Sequence, residues 1–154
     1  MAYQGRYIPV NPNKYEGNLT NIVWRSSWEH CVMQWCDNNP DVVKWSSEEL
    51  VVPYICRTDS KPHRYFVDFK ITYKSGKTVL IEIKPFSQTQ KPVITKGKKS
   101  KTIINEAFTY AKNESKWRAA EQYCKERGWI FQIWSEQVLK AIGMKFANRS
   151  NLKK

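Results

Sequence analysis

Two runs of alternating apolar residues flank Lys74-Ser75-Gly76, and they constrain the fold more tightly than any other feature of the chain. Val67, Phe69 and Ile71 before the turn, and Val79, Ile81 and Ile83 after it, all hold odd positions. Residues 64–73 and 77–84 therefore read as strands of a β-hairpin that share one apolar face. A two-residue Ser75-Gly76 turn would set odd positions against even ones and split that face. A three-residue Lys74-Ser75-Gly76 loop, a type I turn with Gly76 in the left-handed region, pairs Tyr73 with Lys77 and keeps odd opposite odd. In that register Val67 opposes Ile83, and Asp68 opposes Glu82.

The flanking segments supply the other layers. Trp28, Cys31, Val32 and Trp35 fall at i, i+3, i+4 and i+7, the stripe of a helix that starts near Ser26 and ends near Asn38-Asn39-Pro40. Residues 50–56 are apolar and β-branched but contain Pro53, which suits an edge strand or a strand with a bulge. Residues 102–127 carry Ile103, Ile104, Ala107, Phe108, Ala111, Trp117, Ala120 and Cys124 at helical spacing, with a break expected around 113–115 and a stop at Gly128. A strand over 129–134 follows, then a helix over 136–142 capped by Ser135 and ended by Gly143. Residues 1–22 lack periodicity and read as an extended arm anchored by Tyr3, Tyr7 and Tyr15. Residues 23–143 form the domain and 144–154 a frayed basic tail. The expected architecture is a single α/β domain with a mixed four-stranded sheet flanked by helices.

Charge narrows the partners. Twenty-six Lys plus Arg stand against 14 Asp plus Glu in 154 residues, a net charge of +12, so polyanions are the natural ligands. Hydrophobic residues reach 41%, which excludes the low-hydrophobicity route to disorder. No apolar run approaches the roughly 18 residues of a membrane span, and the N-terminal residues lack a signal core, so a soluble, non-exported protein is expected. Cys31, Cys36, Cys56 and Cys124 show no CxxC pair, and His30 and His63 lack metal-ligand spacing. The cysteines read as reduced thiols, with no zinc site and no disulfide-linked partner. Most of the seven tryptophans fall at core-compatible positions, which disfavours a base-stacking role.

The hairpin register has a chemical consequence, because it puts Asp68, Glu82 and Lys84 on the face opposite the odd stripe. Cross-strand Cβ atoms lie about 5 Å apart, close enough for two carboxylates to hold one hard cation, magnesium by preference. Such a cation over a phosphodiester lowers the pKa of a bound water, and Lys84 can orient that water or neutralise an oxyanion. The same three residues also suit a surface ion pair. Two points favour a site: Asp68 and Glu82 are like charges set opposite each other, and Phe66 and Leu80 partly cover their face.

Asp68, thirteen intervening residues, and Glu82-Ile83-Lys84-Pro85 resemble the D…ExK signature of the PD-(D/E)xK nuclease superfamily. MAYQGRYIPVNPNKYEGN at the N-terminus, RSSWE at 25–29, VVPYIC at 51–56, RYFVDF at 64–69 and IEIKP at 81–85 extend the resemblance over residues 1–143 to the head completion nucleases of T-even-type tailed phages. A more distant likeness is to the nuclease subunits of Tn7-type transposases. Val67 stands where the superfamily motif has proline. The resemblance implies a restriction-endonuclease-like core and a magnesium-dependent DNA endonuclease, manganese being a possible substitute, that leaves 5′ phosphates. Asp68, Glu82 and the Ile83 carbonyl would bind the metal, and Lys84 would position water.

A fourth catalytic residue, an acid of the first helix, is also implied, and Glu29 is the match. Ser26-Ser27-Trp28-Glu29 is equally a capping box, so both roles stay open. Glu48 and Glu49 are weaker acid candidates. Arg25, Arg64, Lys70 and the cluster Lys96, Lys98, Lys99 and Lys101 are the expected DNA contacts. The implied partners are double-stranded DNA and phage head or neck proteins. A monomer would work in the host cytoplasm during assembly, its retention in the virion being open. The alternative is a catalytically weak DNA-end binding protein of the head. An RNA-binding module is disfavoured, since no glycine-aromatic RRM motif is present.

Overall fold

A computed structural model describes residues 4–145. The chain runs β1 (Gly5–Arg6), β2 (Val23–Trp24), α1 (Ser27–Asn38), β3 (Val42–Ser47), β4 (Val51–Cys56), β5 (Lys61–Phe66), β6 (Phe69–Tyr73), β7 (Thr78–Ile83), α2 (Ser100–Arg127), β8 (Ile130–Trp134) and α3 (Glu136–Ala141). Short 3₁₀ turns form at Pro12–Lys14 and Phe86–Thr89. The central sheet has the order β3-β6-β7-β8, antiparallel except for the parallel β7–β8 pair.

The hairpin forms in the register that the apolar alternation demands. Phe69 pairs with Ile81 and Ile71 with Val79. The Tyr73 N–H donates to the Lys77 carbonyl at 2.8 Å, and the Gly76 N–H to the Tyr73 carbonyl at 2.9 Å. Gly76 has φ +92°, the left-handed residue that the three-residue loop requires.

The expected strand over 64–73, however, is two strands. Residues 61–66 leave the sheet and pair with β4 as a separate two-stranded ribbon, Pro53 lying opposite Arg64. The sheet position that residues 50–56 were expected to fill is taken by β3, which sequence reading did not find. Trp45 of β3 pairs with Ile71 and Ser47 with Phe69. Beyond Ser47 the chain turns at Glu48, φ +54°, whose N–H donates to the Asp68 carbonyl at 3.2 Å. The Val67 N–H then donates to the Leu50 carbonyl at 3.1 Å. This corner ends the β6 ladder at Phe69, so Val67 never reaches the position opposite Ile83. It packs in a different core.

Both faces of the sheet are covered. Phe69, Ile71, Val79 and Ile81 on the odd face pack against Val32, Met33 and Cys36 of α1, Trp45 of β3, Trp134 and Leu139. Leu80 on the even face packs with Val67, with Val52, Tyr54, Cys56 and Tyr65 of the ribbon, and with Ala120 and Cys124 of α2. All four cysteines are free thiols.

The N-terminal segment is built into the first core. Tyr7, Tyr15 and Ile22 are buried there. Asp37, at the end of α1, accepts from the Tyr7 hydroxyl at 2.7 Å, the Val10 N–H at 2.7 Å and the Asn11 N–H at 2.9 Å. Burial raises the Asp37 pKa, but these donors outweigh it and hold the carboxyl below its ordinary value. Tyr3 and the tail from residue 146 lie outside the described residues.

α2 is continuous, without the expected break at 113–115. Ser115 donates to the Ala111 carbonyl at 3.0 Å within the helix and Glu114 pairs with Arg57 at 3.0 Å, so these polar residues have partners without a kink. Its buried stripe is Asn113, Trp117, Ala120 and Cys124. The expected core residues Ile104 and Phe108 are instead 63% and 56% exposed, because only the C-terminal half of the helix crosses the ribbon and sheet. Gly128, φ +72°, ends it as read from sequence. No helix among the described residues is long and apolar enough to cross a membrane.

Candidate active site

Asp68 occupies the corner between β5 and β6, where the ladder has stopped, and its side chain takes over a ladder contact. Oδ2 accepts from the Ile83 N–H at 2.8 Å. Asp68 is thus tied to the end of β7 by a hydrogen bond, in place of the expected backbone pairing with Glu82. Glu82, one residue earlier on β7, is only 8% exposed, and its Oε2 accepts a short hydrogen bond from the Trp117 indole of α2. The Tyr65 hydroxyl is buried beside Glu82 without reaching hydrogen-bond geometry to any described partner. Its pKa is pushed far up by burial and by the charges of Glu82 and Asp68.

The Glu82 carboxyl is close enough to perturb Asp68. Burial pushes the Asp68 pKa up to about 7, the Glu82 charge adds to the rise, and the Ile83 N–H opposes it. Glu29 and Glu48 raise it further, so four acids contribute to one negative field. Near neutral pH Asp68 is held between its two protonation states, and a cation beside it would favour the ionised form.

Lys84 follows β7, and its N–H donates to the Trp134 carbonyl at 3.0 Å, which pins its backbone to β8. Its ammonium makes no ion pair among the described residues. Lys116 of α2 shares this region. Its ammonium lies 5.6 Å from the Tyr65 ring centroid. Burial lowers its pKa, Glu82 and Asp68 pull it up, and Lys112 and Lys84 press it down. The sequence reading missed Lys116, Trp117 and Tyr65. The stripe Asn113, Trp117, Ala120, Cys124 was the available signal, since it turns that part of α2 towards the sheet.

Glu29 performs the cap. Its N–H donates to Ser26 Oγ at 3.1 Å, and its Oε1 accepts from the Arg25 N–H at 3.0 Å, one residue before the N-cap. It also presses on Asp68 electrostatically, so capping does not remove it from the acidic field. Burial, followed by the Glu48 charge, raises its own pKa against the opposing Arg25 N–H. Glu48 forms a close ion pair with Arg25 and belongs to this field. Glu49 instead accepts from the Tyr15 hydroxyl at 2.8 Å and the Asn18 N–H at 3.2 Å.

The basic residues are scattered in their engagement. Arg25 is held by Glu48 at the edge of the acidic cluster. Lys70 lies 3.6 Å from Glu16 and 4.9 Å from the Trp129 ring centroid. Lys98 folds back on Glu106 at 2.9 Å and on the Val93 carbonyl at 2.8 Å. Arg64 is exposed on β5 over the Phe66 ring. Lys96, Lys99 and Lys101 are exposed, Lys101 within the first turn of α2.

The sequence profile described as "TnsA-like endonuclease N terminal" matches residues 39–136, a span that contains Asp68, Glu82, Lys84 and Lys116. The chain belongs to the TnsA-like endonuclease family. It is also 41% identical over 151 residues to the head completion nuclease of Enterobacteria phage T4, an alignment that covers 96% of this chain and 100% of that protein. No solved structure matches significantly. Glu29 and Arg25 lie before the part matched by the endonuclease profile.

An endonuclease domain of this family implies a divalent metal. The residues present fit one. Asp68 and Glu82 offer hard oxygen donors, and their mutual repulsion is unrelieved by any ion pair among the described residues.

Proposed function

We propose that this protein is a metal-dependent DNA endonuclease that hydrolyses phosphodiester bonds of packaged genome DNA during phage head completion. The observation that carries the reading is the meeting of Asp68 and Glu82 at the end of β7, with Lys84 next along the chain and Asp68 raised to about 7. The 41% identity to a protein named head completion nuclease supports the biological setting. A net charge of +12 suits a duplex DNA partner.

Asp68, Glu82 and the Ile83 carbonyl would hold Mg²⁺, with Mn²⁺ able to replace it. A divalent ion held there would supply Lewis-acid polarisation of the phosphate and ease deprotonation of the attacking water. Lys84 donates to the attacking water or hydroxide and holds it in line with phosphorus. Trp117 fixes the rotamer of Glu82 through its indole N–H, and the Ile83 N–H fixes Asp68. Glu29 adds to the acidic field that draws the cation in. Lys116, on the α2 side, offsets charge that develops on the phosphate. Cleavage leaves the 5′ phosphate on the product. Arg64, Lys96, Lys99 and Lys101 are free to contact the DNA backbone. The protein acts as a monomer in the host cytoplasm during assembly, alongside head or neck proteins.

The test is cleavage of linear and supercoiled plasmid at low salt with Mg²⁺, Mn²⁺ or EDTA. Wild type cuts only with metal, and Asp68→Ala and Lys84→Ala each abolish cutting. Wild type that binds DNA but cuts nothing under any metal condition would overturn the reading in favour of a DNA-end binding component of the head.

A further inference from the structure

The turn of the β4–β5 ribbon gathers a second set of donors at the opposite end of the ribbon from Asp68. Cys56 ends β4, His63 lies near the start of β5, and Asp59 sits in the turn between them. Cys56 Sγ, a carboxylate oxygen of Asp59 and a ring nitrogen of His63 all lie within 4.8 Å of one another. Donors around a tetrahedral zinc ion stand about 3.3 to 3.8 Å apart, as its bond lengths dictate, so a shift of about 1 Å converts this arrangement into a ligand set.

Two of the three donors are already oriented by contacts behind them. Asp59 Oδ1 accepts from the Lys61 N–H at 2.9 Å, which turns Oδ2 onto His63 Nε2 at 2.7 Å. The His63 ring stacks on Tyr54 at 5.6 Å between centroids, with 29° between planes. The turn itself is fixed. The Ser60 N–H donates to the Cys56 carbonyl at 2.7 Å, and the Arg57 N–H donates to Ser115 Oγ of α2 at 3.1 Å. Support of this kind, behind the donors, is what holds metal ligands in a binding geometry.

We infer that Cys56, Asp59 and His63 form a zinc site, with a water as the fourth ligand, that clasps the ribbon turn. One sulfur, one nitrogen and one oxygen donor select a borderline ion such as Zn²⁺ over the hard Mg²⁺ suited to Asp68 and Glu82. Cysteine and histidine spacing alone does not reveal this set, because its middle donor is a carboxylate. A role follows from the fold. A two-stranded ribbon is marginally stable alone, yet this one carries Tyr65 and delivers the chain to Asp68. Binding displaces the Cys56 thiol proton to solvent, opens the Asp59–His63 hydrogen bond so that both side chains face the ion, and joins β4 to β5 where their ladder ends.

The test uses the full-length protein, stripped with EDTA and then freed of it, titrated with Co²⁺ and followed by absorption. The expected result is one equivalent of Co²⁺ with a near-ultraviolet thiolate-to-cobalt band and visible bands, displaced by Zn²⁺ but not by Mg²⁺. His63→Ala and Cys56→Ser each lose the thiolate band, and Asp59→Asn, which removes a charged ligand, weakens binding. An Asp68→Asn/Glu82→Gln double variant keeps the full spectrum, which separates this site from the nuclease centre. In the Asp68→Asn/Glu82→Gln background zinc raises the Tm, and adding His63→Ala abolishes that rise. Since Cys56 is buried and its replacement can impair folding, the half-exposed His63 is the decisive position. A wild type without a thiolate band, or a His63→Ala variant that retains it, overturns the inference and leaves an ordinary Asp59–His63 ion pair.

Discussion

Replacing Asp68 by Asn should disable cleavage and at the same time make the metal-free protein more stable, by an amount that depends on pH. Asn retains a carbonyl oxygen to accept from the Ile83 N–H, so the contact that ties the corner to β7 survives. What it removes is a carboxylate whose ionisation the fold opposes. The Asp68 pKa rises from 3.8 to about 7, through burial first and the Glu82 charge second. A rise of about 3 units corresponds to about 4 kcal/mol, and the part of the side chain that still meets solvent reduces this to about 2 to 4 kcal/mol.

The sign follows from linkage. A carboxyl with a raised folded-state pKa leaves stability intact below its unfolded value of about 3.9. Stability is then lost as pH climbs through the folded value, because the unfolded chain releases the proton first. The advantage of Asp68→Asn should therefore be near zero at pH 4, grow between pH 4 and 7, and level off above pH 7. Urea denaturation of both proteins in EDTA across this range measures it. At pH 8 added Mg²⁺ should stabilise wild type, as a ligand of the folded state must, and do little for Asp68→Asn. An Asp68→Asn protein no more stable than wild type at pH 8 without metal, or an advantage that ignores pH, would refute the electrostatic account of the site.

Two further outcomes follow from groups that sequence reading did not select. Lys116→Met keeps aliphatic bulk against Tyr65 but removes the charge beside Glu82 and Asp68. It should lower kcat about ten- to a hundred-fold with the fold intact by circular dichroism, and unchanged turnover would remove Lys116 from the mechanism. Asp37→Ala strands the donors of Tyr7, Val10 and Asn11, so it should cost about 2 to 4 kcal/mol in denaturant unfolding and expose the N-terminal segment to protease. Because hydrogen bonds hold the Asp37 pKa below its ordinary value, its contribution is present above about pH 4 and fades as pH falls further.

The hairpin was legible because a strand has period two and one buried face: the positions of Phe69, Ile71, Val79 and Ile81 admit one register, and Gly76 supplies the loop that it needs. The capped start of α1 and the glycine stop of α2 were legible for the same reason, as local hydrogen-bond chemistry written in neighbouring residues. Asp68, Glu82 and Lys84 could be named together because the hairpin carries residues 68 and 82–84 to the same end of the sheet, although the ladder stops at Phe69 and Asp68 reaches β7 with its side chain. The break after Phe66 could not be read, since Val67 and Asp68 continue the alternation without a turn residue. Only the competing pairing of β3 with β6 and of β4 with β5 decides it. Local pattern thus determined which strands turn back on each other and which acids converge. Pairing between segments distant in sequence decided the rest: that the even face is covered by α2 and the ribbon, that Glu82 meets Trp117 and Lys116 lies close by, and that Asp68 reaches β7 through its side chain. Those contacts depend on where whole elements pack, and no window of sequence contains both partners.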